Sequence, residues 1–162
     1  MVKKILITGA NGFLGSAITK LGIKKGYKVN ILVRKDSNLT NLKPFLSKLK
    51  IYYGDLKDIE SLNEPIKHSD IVFHVAADYR LWSRKPAEIY ATNVLGTENI
   101  ALKTLIHNKM LIYTSSVATL KLKNNLISDE NSEAKFVDMT GDYKKSKFLA
   151  EKIIFSFKKK KN

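Results

Sequence analysis

The sequence contains no cysteine, which excludes a disulfide scaffold, a thiolate metal site and a cysteine nucleophile. Only three prolines and one tryptophan occur in 162 residues. No apolar run approaches the ~20 residues needed to span a bilayer. The opening MVKKILITGA sets two lysines before an apolar stretch, but a glycine turn interrupts it too early for the core of a secretion signal. These absences predict a cytoplasmic protein with no membrane partner and no metal. Acidic residues are scarce as well, 15 against 29 basic ones, for a net charge of +14. Only Arg34, Arg80 and Arg84 are arginines, and the lysines are scattered, with a single run at Lys158 to Lys161. Dispersed charge of this kind reads as a solvated surface rather than a nucleic-acid site, for which steep salt dependence would be the signature.

Apolar residues make up 44% and charged residues 27%, the balance of an ordinary globular domain, and the length suits one domain. Ile5 to Ile7 reads as a doubly buried strand, and Phe13, Leu14, Ala17, Ile18 and Leu21 follow at helical spacing up to the stop at Gly26. A second strand is expected at Val29 to Val33, a short helix broken by Pro44 between Leu39 and Leu49, and a third strand at Ile51 to Tyr53. Ile59, Leu62 and Ile66 suggest another helix, Ile71 to Val75 a fourth strand, and Pro86 opens a long helix running through Leu105. Met110 to Thr114 is the fifth strand. Lys121 to Met139 lacks a period and reads as a surface loop, and a final amphipathic helix follows Asp142. Alternating strands and helices build βαβ units, hence an α/β, Rossmann-type doubly wound parallel sheet of about five strands in the order 3-2-1-4-5 with helices on both faces.

The first βα turn is Thr8, Gly9, Ala10, Asn11, Gly12, Phe13, Leu14, Gly15, a TGxxGxxG pattern between a strand and a helix. Gly9 permits the tight turn, Gly12 lets backbone approach a pyrophosphate, and Gly15 lets helix and strand pack closely, while free N–H groups at the helix start bind phosphate charge. At the end of the second strand an acidic residue would select a free ribose 2′-hydroxyl and an arginine would accommodate a 2′-phosphate. Arg34 and Lys35 stand there, favouring NADP over NAD, with Asp36 two positions on as the competing signal and an exposed strand-end charge as the plain alternative. Tyr143 and Lys147 form YxxxK on one helical face, where an ammonium favours the phenolate. Ser115 and Ser116 follow the fifth strand at the carboxyl edge, able either to hold a reacting oxygen or simply to satisfy a turn.

Together with Gly54-Asp55-Leu56, His74-Val75-Ala76-Ala77, Asn93 and Tyr113-Thr114-Ser115-Ser116, these motifs resemble the extended short-chain dehydrogenases/reductases, the NAD-dependent epimerase/dehydratase family. HVAADYRLW (74–82) and YKKSKFLAEK (143–152) are similar to the hopanoid-associated sugar epimerase and dihydroflavonol reductase groups. The resemblance implies that Ser116 polarises the substrate oxygen, with Ser115 the neighbouring alternative. It implies that Tyr143 is the acid/base and that Lys147 orients the ribose and lowers the tyrosine pKa. It assigns Asp55 and Leu56 to the adenine, Ala76, Ala77 and Thr114 to the ribose and nicotinamide side, and Asn93 to a supporting place on the cofactor side. His74 reads as a packed strand-end histidine, whereas Tyr79, Leu81 and Trp82 either touch substrate or pack on the sheet.

The implied activity is hydride transfer on a nucleotide-sugar or related hydroxy/keto small molecule by an NAD(P)-dependent epimerase/dehydratase or carbonyl reductase. The alternative is a non-catalytic dinucleotide-binding module or an inactive gene fragment. Family members continue past the last helix, so residues 1–162 are expected to be an incomplete NAD(P)-binding domain lacking carboxyl-terminal strands and a substrate domain. Four consecutive lysines imply an adenine tract where a frameshift, truncated gene or split reading frame would end the protein, unless no homologous frame lies beyond the stop codon. Weak cofactor affinity and little turnover would follow, with the fifth strand left as an edge. Oligomeric state stays open between a homodimer and pairing with a separately encoded carboxyl-terminal half.

Overall fold

Short runs of aliphatic residues bounded by turns set the sheet, because strands covered on both faces need apolar side chains in both directions. The computed structural model describes residues 2–122 and 127–159. Five parallel strands, β1 (Lys4–Thr8), β2 (Lys28–Val33), β3 (Leu49–Tyr53), β4 (Ile71–His74) and β5 (Met110–Tyr113), are ordered β3-β2-β1-β4-β5. This is the expected Rossmann order. The register pairs Ile7 with Ile31 and Phe73, and His74 with Tyr113.

Strand alternation divides the core between the two faces of the sheet. Ile5, Ile7, Val29, Ile31 and Val33 pack with Leu42 on one side, and Leu6, Leu32 and Val72 pack with Leu62, Ile66 and Ile100 on the other. Leu6 and Ile7 are fully buried, so truncating either to alanine would cost about 2–5 kcal/mol. Asn30, on the second face, is a buried polar side chain satisfied by Ser69 Oγ at 2.9 Å.

The helices are α1 (Phe13–Lys24), α2 (Asn63–Lys67), α3 (Pro86–Tyr90), α4 (Gly96–Ile106) and α5 (Gly141–Lys159). Three expectations about helices need correction. The segment before β3 is a 3₁₀ helix (Thr40–Lys48) with Pro44 inside it, whose missing N–H leaves one bond of the turn unmade. The expected helix around residues 59–66 splits into a 3₁₀ turn (Glu60–Leu62) and α2. The long helix after Pro86 is unbroken along the chain, but Ala91–Leu95 winds as a π-helix between α3 and α4.

The surface loop expected from Lys121 to Met139 includes residues 123–126, which lie outside the described residues, as do 160–162 of the lysine-rich end. The described part is anchored by buried Ser132 and Met139 and by Phe136, whose ring lies 6.2 Å from that of Phe148 on α5. β5 is an edge, with Met110 and Ile112 exposed. Among the described residues no helix is long and apolar enough to cross a membrane.

Candidate active site

The glycines after β1 have separable roles. Gly9 has φ +67°, and a Cβ there would lie 2.7 Å from Ala76 Cα. A Cβ on Gly15 would collide with Gly9 O and lie 2.7 Å from Gly9 C, so the close approach of α1 to the turn requires a bare Cα. A Cβ on Gly12 would meet nothing nearer than Gly9 O at 3.4 Å. The chain's own packing therefore gives no reason for glycine at position 12, which faces an open cleft. Gly12 caps α1 without a side-chain hydrogen bond, and the first turn holds no acidic residue. Its leading N–H groups are left available to an anion, with nothing nearby to repel one.

The cleft has a volume of about 940 Å³ and runs across the carboxyl ends of the strands. Thr8, Asn11, Phe13 and Leu14 line it at the turn, Arg34 at the end of β2, and Asp55 and Leu56 beyond β3. Ala76 and Ala77 line it beyond β4, and Thr114 and Ser115 beyond β5. Asn11 ties the turn to the following segment through Asn38 O at 3.3 Å and Asn41 Nδ2 at 2.9 Å. Arg34 is two-thirds exposed, its Nε 3.8 Å from Asp36.

Beneath this surface, Thr8 Oγ1 accepts from the N–H groups of Val75 and Ala76 at 3.2 Å each. Its own proton is thus directed to His74 Nδ1 at 2.8 Å, which leaves His74 Nε2–H to donate to Thr97 Oγ1 at 3.0 Å. Burial, assisted by the Lys147 charge, lowers His74 to about 3, so the ring is neutral. His74 is the satisfied structural histidine that its strand-end position suggested.

Helix α5 closes the other side. Tyr143 and Lys147 both line the cleft. Lys147 is 3% exposed, donates from Nζ to Thr114 O at 2.8 Å, and sits 4.4 Å from the centroid of the Tyr113 ring. Burial lowers its ammonium to about 8, with Glu151 acting in the opposite direction. Burial and the Glu151 carboxylate raise the Tyr113 hydroxyl, keeping it protonated.

Three expected site residues fall outside the lining of the cleft. Lys35 is exposed to solvent two positions past the end of β2 and does not line the cleft. Asn93 is buried with its amide already committed: Oδ1 accepts from Asp78 N at 2.7 Å, and Nδ2 donates to Asp78 O at 2.8 Å and Ser146 Oγ at 3.0 Å. It joins the loop after β4 to α5 and so supports the site from behind. Ser116 Oγ accepts from Ala118 N at 3.2 Å, starting a 3₁₀ turn. Ser115 does line the cleft, but its hydroxyl donates to Glu151 Oε2.

Sequence reasoning missed Thr92, Ser37, Asp78 and Arg80, all of which line the cleft. Arg80 grips Asp78 through Nε and Nη2, and Glu88 at 3.1 Å, holding the Asp78 carboxyl below its usual range. Tyr79 lines the cleft, and Tyr79, Leu81 and Trp82 are about three-quarters exposed or more, so this loop does not pack on the sheet. Glu151 was also missed, although its spacing four residues after Lys147 was available as a signal.

A family model described as the NAD dependent epimerase/dehydratase family matches residues 5–162. A putative dihydroflavonol 4-reductase from Synechocystis is 35% identical over 153 residues, covering 93% of this chain and 44% of the relative. An anthocyanidin reductase from Vitis vinifera is 34% identical over 179 residues, covering 99% of this chain and 53% of its own length. The solved structure of gox2253 superposes with a TM-score of 0.90 at 36% identity, over 99% of this chain and 48% of that one. The enzyme WbmG of Bordetella bronchiseptica, solved in complex with NAD, shares the fold at a TM-score of 0.83 and 22% identity, over 96% of this chain and 50% of that one. The chain thus spans about half the length of the relatives it matches.

Proposed function

This chain belongs to the NAD dependent epimerase/dehydratase family, and we propose that it binds NADP(H) and carries the proton-handling side of a carbonyl reduction, or its reverse, on a small hydroxy/keto substrate. The observation that carries this reading is the uncapped, glycine-built start of α1 opening into the same cleft as Tyr143 and Lys147. Gly12 is where the chain itself points to a diphosphate. The residue faces the cleft, the fold does not require it to be bare, and a diphosphate lying on the backbone supplies the reason. The N–H groups at the start of α1 would take the diphosphate, Arg34 a 2′-phosphate, and Asp55 and Leu56 the adenine. When bound, the cofactor supplies or accepts the hydride.

The remaining chemistry falls to the chain's own side chains. The Tyr143 hydroxyl exchanges a proton with the substrate oxygen, and the Lys147 ammonium one helical turn away favours its phenolate. Ser116 lies outside the lining of the cleft, next to the lining residue Ser115, but its Oγ only accepts from Ala118 N, so its O–H is left for a substrate oxygen that reaches past Ser115. The two curated relatives cited, at 35% and 34% identity, are named as reductases, which supports carbonyl reduction ahead of sugar epimerisation.

Titration of the purified chain with NADPH and NADH, followed through Trp82 fluorescence and calorimetry, tests the first half. Saturable binding with NADPH the tighter ligand is expected; binding of neither overturns the reading. Tyr143→Phe tests the second half. Abolished turnover with cofactor binding intact supports the chemistry, whereas binding by wild type with no turnover for any hydroxy/keto substrate identifies a dinucleotide-binding module.

A further inference from the structure

Residues Tyr143, Lys147 and Glu151 recur every four positions on α5 and so form one stripe along its face, about 6 Å apart along the axis. The first two reach the cleft. The third turns toward the segment that follows β5, where its Oε2 accepts from Ser115 Oγ and lies 3.2 Å from Thr119 Oγ1. Ser115 and Thr119 bracket Ser116. Thr119 donates its one hydroxyl proton to Ser116 O at 2.7 Å, the shorter of its two contacts, so the carboxylate holds this segment against α5 chiefly through Ser115.

We infer that Glu151 is a positioning residue of this site: it withdraws the Ser115 hydroxyl from the cleft's donors, fixes the 115–119 segment that carries Ser116, and keeps Lys147 cationic beside Tyr143. The inference rests on the proposed roles of Ser116, Tyr143 and Lys147.

Two adjacent serines present an ambiguity that Glu151 resolves. The single proton of Ser115 is spent on the carboxylate, which leaves Ser115 able only to accept, whereas Ser116 is occupied as an acceptor and keeps its proton. The second task follows from burial. Lys147 has no carboxylate within 4.0 Å among the described residues, and its one hydrogen-bond acceptor is the neutral carbonyl of Thr114. The groups that face it are Tyr113 from β5 and His74 from β4, both neutral, and Tyr143 and Glu151 from its own helix. Only Glu151 counters the cost of burying the ammonium. Without it burial would act on the ammonium unopposed, which weakens the charge available to stabilise a phenolate.

The deciding measurement is the titration of the Lys147 ε-amino group by NMR on lysine-labelled protein, assigned by the signal that Lys147→Met removes. In Glu151→Gln the midpoint is expected to move to lower pH by about one unit, the scale of losing one opposite charge a turn away. Hydrogen exchange at the Ala118 and Thr119 amides should accelerate. Ser115→Ala should accelerate the same exchange without moving the Lys147 midpoint, since the carboxylate remains. If Glu151→Gln does not fold, Glu151→Asp, which draws the carboxylate back by one methylene, should give a smaller shift in the same direction. An unchanged midpoint in whichever variant folds overturns the inference. Failure of wild type to bind NADPH would sink the cofactor reading while leaving this titration decisive on its own.

Discussion

Lys147 donates from Nζ to Thr114 O at 2.8 Å, fastening the middle of α5 to the carboxyl end of β5. The contact satisfies one of three ammonium protons, so the buried charge is held at a cost, and that cost depends on pH. The ammonium titrates at about 8 in the fold against 10.5 in the unfolded chain. Between those values the unfolded chain binds more protons, so stability rises with pH across that window. Chemical denaturation of wild type and Lys147→Met from pH 7 to 10.5 should show wild type gaining on the variant by on the order of 3 kcal/mol. Parallel curves would refute the assignment.

His74 makes the opposite end of the pH range informative. Its ring titrates at about 3 in the fold and near 6.5 when exposed, so protons bind preferentially to the unfolded chain as pH falls from 6.5 toward 3. Stability should decline by several kcal/mol across that window. His74→Asn, less stable at pH 7 for want of the Thr8 and Thr97 contacts, should show a shallower decline. Urea unfolding at half-unit pH steps reads both slopes.

Gly12 and Gly15 separate binding from folding. Gly15→Ala should lower stability by about 1–3 kcal/mol or more, because the new methyl meets backbone that cannot move aside. Gly12→Ala should leave the melting temperature within a few degrees of wild type yet weaken NADPH binding at least tenfold. Equal loss of stability in the two variants would remove the argument for a diphosphate at this turn.

Arg34 is the predicted source of cofactor preference. Arg34→Ser should weaken NADPH by about tenfold to a hundredfold, the value of one charged hydrogen bond, with NADH scarcely affected. Isothermal titration of both cofactors against both proteins gives the ratio. A matched loss for both would move Arg34 from 2′-phosphate reader to general phosphate attraction.

Local signals carried most of the fold. Strand, glycine turn and helix lie close together in the chain, and the alternation of apolar runs implied a parallel sheet through the handedness of βαβ crossovers, while the order 3-2-1-4-5 came from the Rossmann-type glycine turn. The division of labour between Ser115 and Ser116 was not legible, because it depends on which of them Glu151 reaches from a helix some 35 residues later. Asn93 was legible as a helical residue, but the helical pattern gave no sign that its amide would be consumed by Asp78 and Ser146. Arg80 lies within the HVAADYRLW stretch, but nothing in that pattern showed that Asp78 and Glu88 would hold it at the cleft.

The π-wound stretch Ala91–Leu95 puts neighbouring residues to different uses: Thr92 opens on the cleft, while Asn93 braces α5 from inside. Deleting one residue there would let the coil tighten into ordinary α-helix with little harm to helicity. It would leave α3 and α4 in rotational register, because the wider turn exists to absorb that one extra residue, but it would abolish the offset that lets Thr92 and Asn93 face different ways. Circular dichroism would scarcely register such a shortened protein, although the contacts of Asn93 with Asp78 and Ser146 would be disturbed. Spectroscopic helix content is therefore a poor guardian of this site, and insertions or deletions between Pro86 and Ile106 need to be judged by ligand binding.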